Sequence, residues 1–235
     1  MTTEKLDIMK VIRDGIRCGL KNFFPLFLMV ILYILTFWIP YLNVGTTIGF
    51  CKAVISVGRG EKIDPLSIFS RDNFKNLGNF FLLMGLISIG VTAAMIFMFF
   101  PAMVIGIAWS FAIYFLIDKQ VSPLKALQLS YDATYGNKWR IFFVGLLCGI
   151  VVCVISLVLG LIPKVGPVLA VIGCFLFTAI IIAVEGVMYD FFSQKADAII
   201  AEHRAQFCRH HAPEAPAAEA PVAEAPAADD PAPEA

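Results

Sequence analysis

S-P-L-K-A-L-Q-L-S-Y-D-A-T-Y-G-N-K-W-R-I-F (Ser122–Phe142) runs straight into an uncharged apolar segment that continues to Ile162. The first part reads as a polar helical lead-in carrying Lys125 and Asp132, ended by a Gly136-Asn137 break. Lys138, Trp139 and Arg140 then stand where an interface would hold a cation, an indole and a guanidinium, and the chain enters the bilayer. Polar lead-in, break, basic-aromatic entry and apolar run together predict a membrane helix with its surface segment attached. Similar modules elsewhere in the chain make the expected fold class all-α, a polytopic membrane helical bundle.

Composition points the same way. Of 235 residues, 59% are hydrophobic and 15% charged, against roughly 45–50% and 25% in a soluble domain. The excess lies in runs long enough to cross a membrane. The zero formal charge conceals an asymmetry, because six of the eighteen acids lie in residues 212–235, where no base occurs. The remainder carries eighteen bases against twelve acids. Those bases sit beside apolar runs, which suits anionic lipid headgroups and argues against nucleic acid as a partner.

Six spans are expected, at about 23–39, 42–58, 79–98, 101–117, 141–162 and 168–192. Residues 1–22 precede them as an amphipathic helix, with Leu6, Met9, Ile12, Ile16 and Leu20 spaced by three and four among five bases. The weakest span is 42–58, which is short and carries Lys52; it could instead lie on the surface, leaving five. Its Gly45, Gly49 and Ala53 recur every four residues, a small face that suits close approach by a neighbouring helix. Residues 193–211 read as a second amphipathic helix. Residues 212–235, nearly all Ala, Pro, Glu and Asp, have too little apolar surface to fold and should be a disordered, solvated tail.

Pro40, Pro101 and Pro163 are spaced by 61 and 62 residues, each between apolar segments. Pro65-Leu66 precedes Gly78-Asn79 by thirteen positions, as Pro123-Leu124 precedes Gly136-Asn137. This pattern predicts three tandem units, each a surface segment followed by a helical hairpin. Six spans place the bases of residues 5–21, 59–75, 119–140 and 195–209 on one side, with only Lys164 opposite. The positive-inside rule makes that side cytoplasmic and puts both termini there.

Lys52 and Glu185 are the ionisable residues expected furthest below the surface, where an unpaired charge is costly. They are candidate intramembrane polar sites, as a pair or separately, against a plainer reading in which each reaches headgroup water. Lys21, Lys138, Trp139 and Arg140 are candidate lipid-headgroup contacts. Asn22, Asn79 and Asn137 stand at helix starts, where an amide can satisfy the free N–H groups of a helix beginning in low dielectric. Asp118, Asp132 and Asp190 are expected to cap helices or balance bases.

His203, Cys208, His210 and His211 offer soft ligands, but their spacing matches no standard metal site. Metal-hydrolase, nucleophile-elbow and phosphate-loop motifs do not occur. No catalytic residue, metal or cofactor is therefore assigned. The six cysteines contain no C-x-x-C pair and fall mostly in apolar runs, so no disulfide framework is expected.

The segment I-D-K-Q-V-S-P-L-K (117–125) with A-L-Q-L-S-Y-D-A-T-Y-G-N-K-W-R-I-F (126–142) resembles one shared by uncharacterised bacterial multi-pass membrane proteins. It is similar also to the membrane domain attached to some glycerophosphodiester phosphodiesterases. The resemblance covers about half of the chain and rests on topology: a Pro turn, a span ending in Asp, an A-L-x-x-S helix and a G-x-K-aromatic entry. It implies a membrane domain but carries over no active residue, and the phosphodiesterase barrel is absent. The expected role is a non-catalytic scaffold or regulatory module, its partners being lipids and a protein met by the surface helices or tail. A small-solute or lipid transporter or channel is the alternative, and an intramembrane enzyme comes third.

Overall fold

The computed structural model describes residues 5–75, 77–162 and 165–210, and these are helical with no strand among them. Pro163, Lys164 and the 212–235 tail lie outside the described residues, as do the side chains of His203, Cys208, His210 and His211. The chain divides into two compact units, Met1–Ile199 and Ile200–Ala235. The first holds every contact considered below. The described part of the second is helical to His210.

The first helix, α1 (Ile8–Lys21), starts where the Asp7 carboxylate accepts from the amides of Met9 and Lys10 at 3.0 and 3.3 Å. Such an Asp cap satisfies amides that the first turn leaves unpaired. At Asn22 the chain turns by 81° into α2 (Phe23–Thr36). Expected apolar-stripe residues Met9, Ile16 and Leu20 remain exposed on α1, whereas Val11, Gly15 and Gly19 are buried. The small side of the helix therefore packs on protein. Met9, Ile16 and Leu20 face away from that contact.

Pro40 opens α3 (Pro40–Gly58) as an N-terminal helical residue, where its missing N–H costs nothing. The polar bonds between α2 and α3 show that they run antiparallel. Tyr33 meets Thr47 and Thr36 donates to Thr46, both at 3.2 Å near the turn, while Asn22 at the other end donates to the Glu61 carbonyl at 3.2 Å. Nine residues of α3 are buried, including Gly49, Cys51, Ala53, Val54 and Val57. The core is built around this helix. Its fully buried neighbours include Met29 from α2 and Ile68 from the segment that follows α3.

That segment contains two short 3-10 helices, Pro65–Phe69 and Arg71–Phe74, laid along α3. It fills the small face expected to meet another membrane helix. A Cβ on Gly49 would lie 2.6 Å from Asn73 Nδ2 and 2.8 Å from the Ile68 backbone, and one on Gly45 would strike the Phe74 ring. Helices meet closely elsewhere, at pairs the small-face pattern did not single out. Gly58 abuts Gly186, while Gly15 and Gly19 lie against Val184 and Ala183.

The remaining helices are α4 (Leu77–Phe97), α5 (Phe99–Trp109), α6 (Ala112–Lys119), α7 (Pro123–Thr134), α8 (Lys138–Gly160) and α9 (Gly166–His210). The break after α4 is at Met98, extended at φ −170° and ψ 150°, three residues before the expected Pro101 turn. Pro101 sits in the first turn of α5, where its nitrogen needs no helical acceptor.

Four stretches are long and apolar enough to cross a membrane: Leu77–Ile96, Phe99–Lys119, Lys138–Gly160 and Val168–Glu202. Counting the bent pair α1 and α2 as one makes five. With 14 residues, α2 is too short alone, and α3, carrying Lys52, falls outside the set. Only 11% of the apolar windows of α4 and α8 is buried within the protein. Helices apolar on every side yet exposed have lipid as their natural solvent.

Candidate functional site

The buried polar side chains of Ser122–Phe142, those of Ser130, Thr134 and Asn137, are engaged in assembly. Ala108 lies in the last turn of α5, where helix carbonyls lack successors to bond. Ser130 Oγ donates to that carbonyl at 2.7 Å from the buried face of α7, with Thr134 Oγ1 at 3.4 Å. Gly136, at φ +80°, takes the chain out of α7 through the left-handed region that a Cβ disfavours. Beyond it Asn137 Oδ1 accepts the amide of Leu6 at 3.0 Å, and Arg140 donates to the carbonyl of the same residue. Leu6 is thereby held by both backbone groups and is fully buried. This fastens the start of α1 to the start of α8.

The candidate headgroup residues divide along this line. Arg140 is drawn inward to Leu6, and Lys21 Nζ donates to the Gly60 carbonyl at 3.2 Å. Lys138 stands 4.4 Å over the Tyr131 ring, a cation–π contact across the Gly136 break. Trp139 remains exposed, edge-on to Phe142 and tilted against Phe100.

Further polar contacts join the ends of α3, α6 and α9. Arg59 makes a two-pronged pair with Asp118 at 2.8 and 2.7 Å, and Tyr189 donates to the same carboxylate at 2.8 Å. Partial burial opposes the Arg59 charge, but the Asp118 bonds and charge prevail and hold its pKa above the ordinary value. Lys119 pairs with Asp197 at 2.7 Å. Lys195 donates to the carbonyls of Ala133 and Tyr135 at 2.8 and 3.0 Å, placing a cation at the negative end of α7. Asp118 thus balances a base as expected, while Asp190 accepts from Gln194.

Lys52 and Glu185 take different partners. Glu185, in α9, accepts from Tyr114 Oη of α6 at 2.9 Å, beside an aromatic cluster of Phe111, Tyr114, Phe115, Tyr189 and Phe192. The exposed Lys52 donates from Nζ to Asn73 Oδ1 at 2.8 Å. Asn73, 1% exposed, also donates through Nδ2 to the carbonyls of Ser67 and Ile68, each at 3.1 Å. Asn79 had been expected to serve its helix start, but it is exposed in the first turn of α4. The amide that organises this region is Asn73, six residues earlier, because the backbone there turns in 3-10 steps rather than as an α-helix. Asn22 stands at the start of α2 but makes no bond to the free amides there; it donates instead to the carbonyls of Cys18 and Glu61.

Two polar hollows result. One, of about 310 Å3, lies between α3 and the 3-10 segment around Lys52. The other, of about 780 Å3, is a cleft beside α1, α9 and Gly58–Gly60, lined by Lys10, Asp14, Arg17, Arg59 and Lys195 among others. The five described cysteines are free, and no group of three metal-ligating side chains occurs among the described residues. Comparisons with protein-family models, curated proteins and solved structures give no match.

Proposed function

We propose that this chain is a non-catalytic multi-pass membrane module that organises or regulates a protein partner. It would be embedded through six spans in three hairpins, α2–α3, α4 with α5–α6, and α8–α9. Both termini and the base-rich segments would face the cytoplasm of a bacterial inner membrane. The observation that carries the reading is the closed circuit of polar contacts. Residues 21–22 bond 60–61, Arg59 bonds Asp118, Lys119 bonds Asp197, Lys195 bonds 133 and 135, and Asn137 with Arg140 returns to Leu6.

Four base-rich segments far apart in sequence are thereby tied together, their polar groups used to hold surface elements in register. Arg13, Met9, Ile16 and Leu20 of α1 remain exposed for contact outside the chain. Transport of a small solute or lipid is the second reading. It is favoured by Glu185 and Tyr114, a hydrogen-bonded polar pair on two of the apolar stretches.

A photo-crosslinking residue at Arg13, compared in cells with one at Ile150 on the exposed face of α8, tests the first reading. The expected result is a discrete protein adduct from position 13, with lipid adducts alone from position 150. Solute uptake by proteoliposomes that Glu185→Gln abolishes overturns it in favour of transport.

A further inference from the structure

Asp64, Ser67, Ser70 and Asn73 recur every third residue, and all four line the 310 Å3 hollow beside Lys52. Residues three apart stack in a 3-10 helix, and although the extended Ser70 separates the two short helices, all four residues border the same hollow. Much of the row is occupied in shaping the segment itself. The Asp64 carboxylate accepts the Leu66 amide, Ser67 donates to the Asp64 carbonyl, and Asn73 ties the carbonyls of 67 and 68 to Lys52. The row is built as a wall, and it faces a lysine.

Two ammonium groups of the lining, Lys52 and Lys62, have no ion pair, against one such carboxylate, Asp64. Lys52 spends one N–H on Asn73 and keeps two; Lys62 has no hydrogen bond or ion pair. Ser70 Oγ accepts the Asp72 amide and so retains its own proton, and the Ser56 hydroxyl is also unspent. Of the two lining carboxylates, Asp72 is paired at 2.6 Å with Lys75, whose hydrogen bond and charge hold it below the usual carboxylate range. Asp64 accepts its cap bond through Oδ1 and keeps Oδ2 open, so the unpaired charges of the lining are two positive and one negative. Two ammonium groups and two hydroxyls, from α3, the 59–64 connection and the 3-10 segment, border one space.

We propose that this hollow binds a phosphate group, carried on a lipid head or free. Phosphate brings several acceptor oxygens and up to two negative charges, which matches donors arriving from separate segments better than one planar carboxylate does. Lysines act on it as point charges and need no fixed fork geometry. The volume is at the small end of the roughly 300–1,000 Å3 usual for ligand sites, suitable for a headgroup-sized molecule. Its Lys52 is held by a buried amide, so part of the site is ordered before the ligand arrives.

The full chain in phosphatidylcholine nanodiscs, titrated with inorganic phosphate by calorimetry, tests the free form. Native mass spectrometry of nanodiscs containing phosphatidylcholine and phosphatidylglycerol tests the lipid form through selective retention of the anionic lipid. Binding in at least one arm is expected, weakened about tenfold by Lys62→Met and at least as much by Lys52→Met. Lys125→Met, on α7 and outside the lining, should leave affinity within twofold. Because Lys62 bonds nothing, its variant keeps the fold and isolates the ligand term. Binding in neither arm, or binding unchanged by Lys62→Met, overturns the proposal.

Discussion

Residues 65–79 and 123–137 begin and end alike, Pro-Leu at one end and Gly-Asn thirteen positions on, yet they fold differently. The second is a continuous helix, α7, from Pro123 to Thr134. The first is two 3-10 helices joined at Ser70. Their interiors supply the reason. In α7, Ala126, Leu127, Leu129, Ser130, Ala133 and Thr134 are buried at helical spacing, among residues of good helix propensity. Residues 64–73 carry Asp, Ser, Ser and Asn every third position, and these side chains bond nearby backbone in competition with α-helical bonds. Shared end marks therefore signal where a surface segment starts and stops, while side chains between them choose its helix.

The difference can be broken most sharply with proline. Gln128→Pro, at an exposed mid-α7 position, should cost about 3 kcal/mol or more by removing a helical bond and crowding the preceding turn. Ser70→Pro is the matching change. Its φ of −58° already suits proline, and its main losses are the bond to Ser67 and the Asp72 cap, so roughly 1–2 kcal/mol is expected. Chemical denaturation in mixed micelles compares them, and equal losses would mean that 65–74 behaves as an α-helix in solution.

Asparagine provides the next test. Asn73→Ala removes the amide that serves Lys52 and two carbonyls, and should cost about 2–3 kcal/mol, whereas Asn79→Ala should stay within about 0.5. A reversed order would restore Asn79 as the organising amide. A smaller loss than that of Asn73→Ala is expected from Ser130→Ala. It strips the Ala108 carbonyl of its shorter bond but leaves Thr134 nearby, for a loss of about 1 kcal/mol in the same denaturation assay. Ser130→Ala combined with Thr134→Val should lose more than the two changes made singly, since either hydroxyl then lacks its substitute.

Much of the fold was legible from local pattern. Uncharged runs located the apolar stretches of α4, α5–α6, α8 and α9, and the Pro40, Gly136 and Asn137 breaks fell at real helix boundaries. The role of Asn73 was hidden because it precedes the break instead of adjoining it; the three-residue polar spacing from Asp64 was the available signal. The inward turn of Arg140 and the separate partners of Lys52 and Glu185 left no local trace, since each depends on a residue at least 21 positions away.

By itself, the sequence determined that this chain is helical and that several of its helices have a membrane as their natural surroundings. Those properties follow from run length and residue type, which act locally through hydrogen bonding and hydrophobicity. Only the tertiary structure decided that α3, short and carrying a lysine, is the helix around which the core is built. Gly49 admits the 3-10 segment, Gly58 admits α9, and Asn73 takes the ammonium of Lys52. Which surfaces approach, and which polar group meets which, depends on shape complementarity between segments distant in the chain, and no local pattern specifies that.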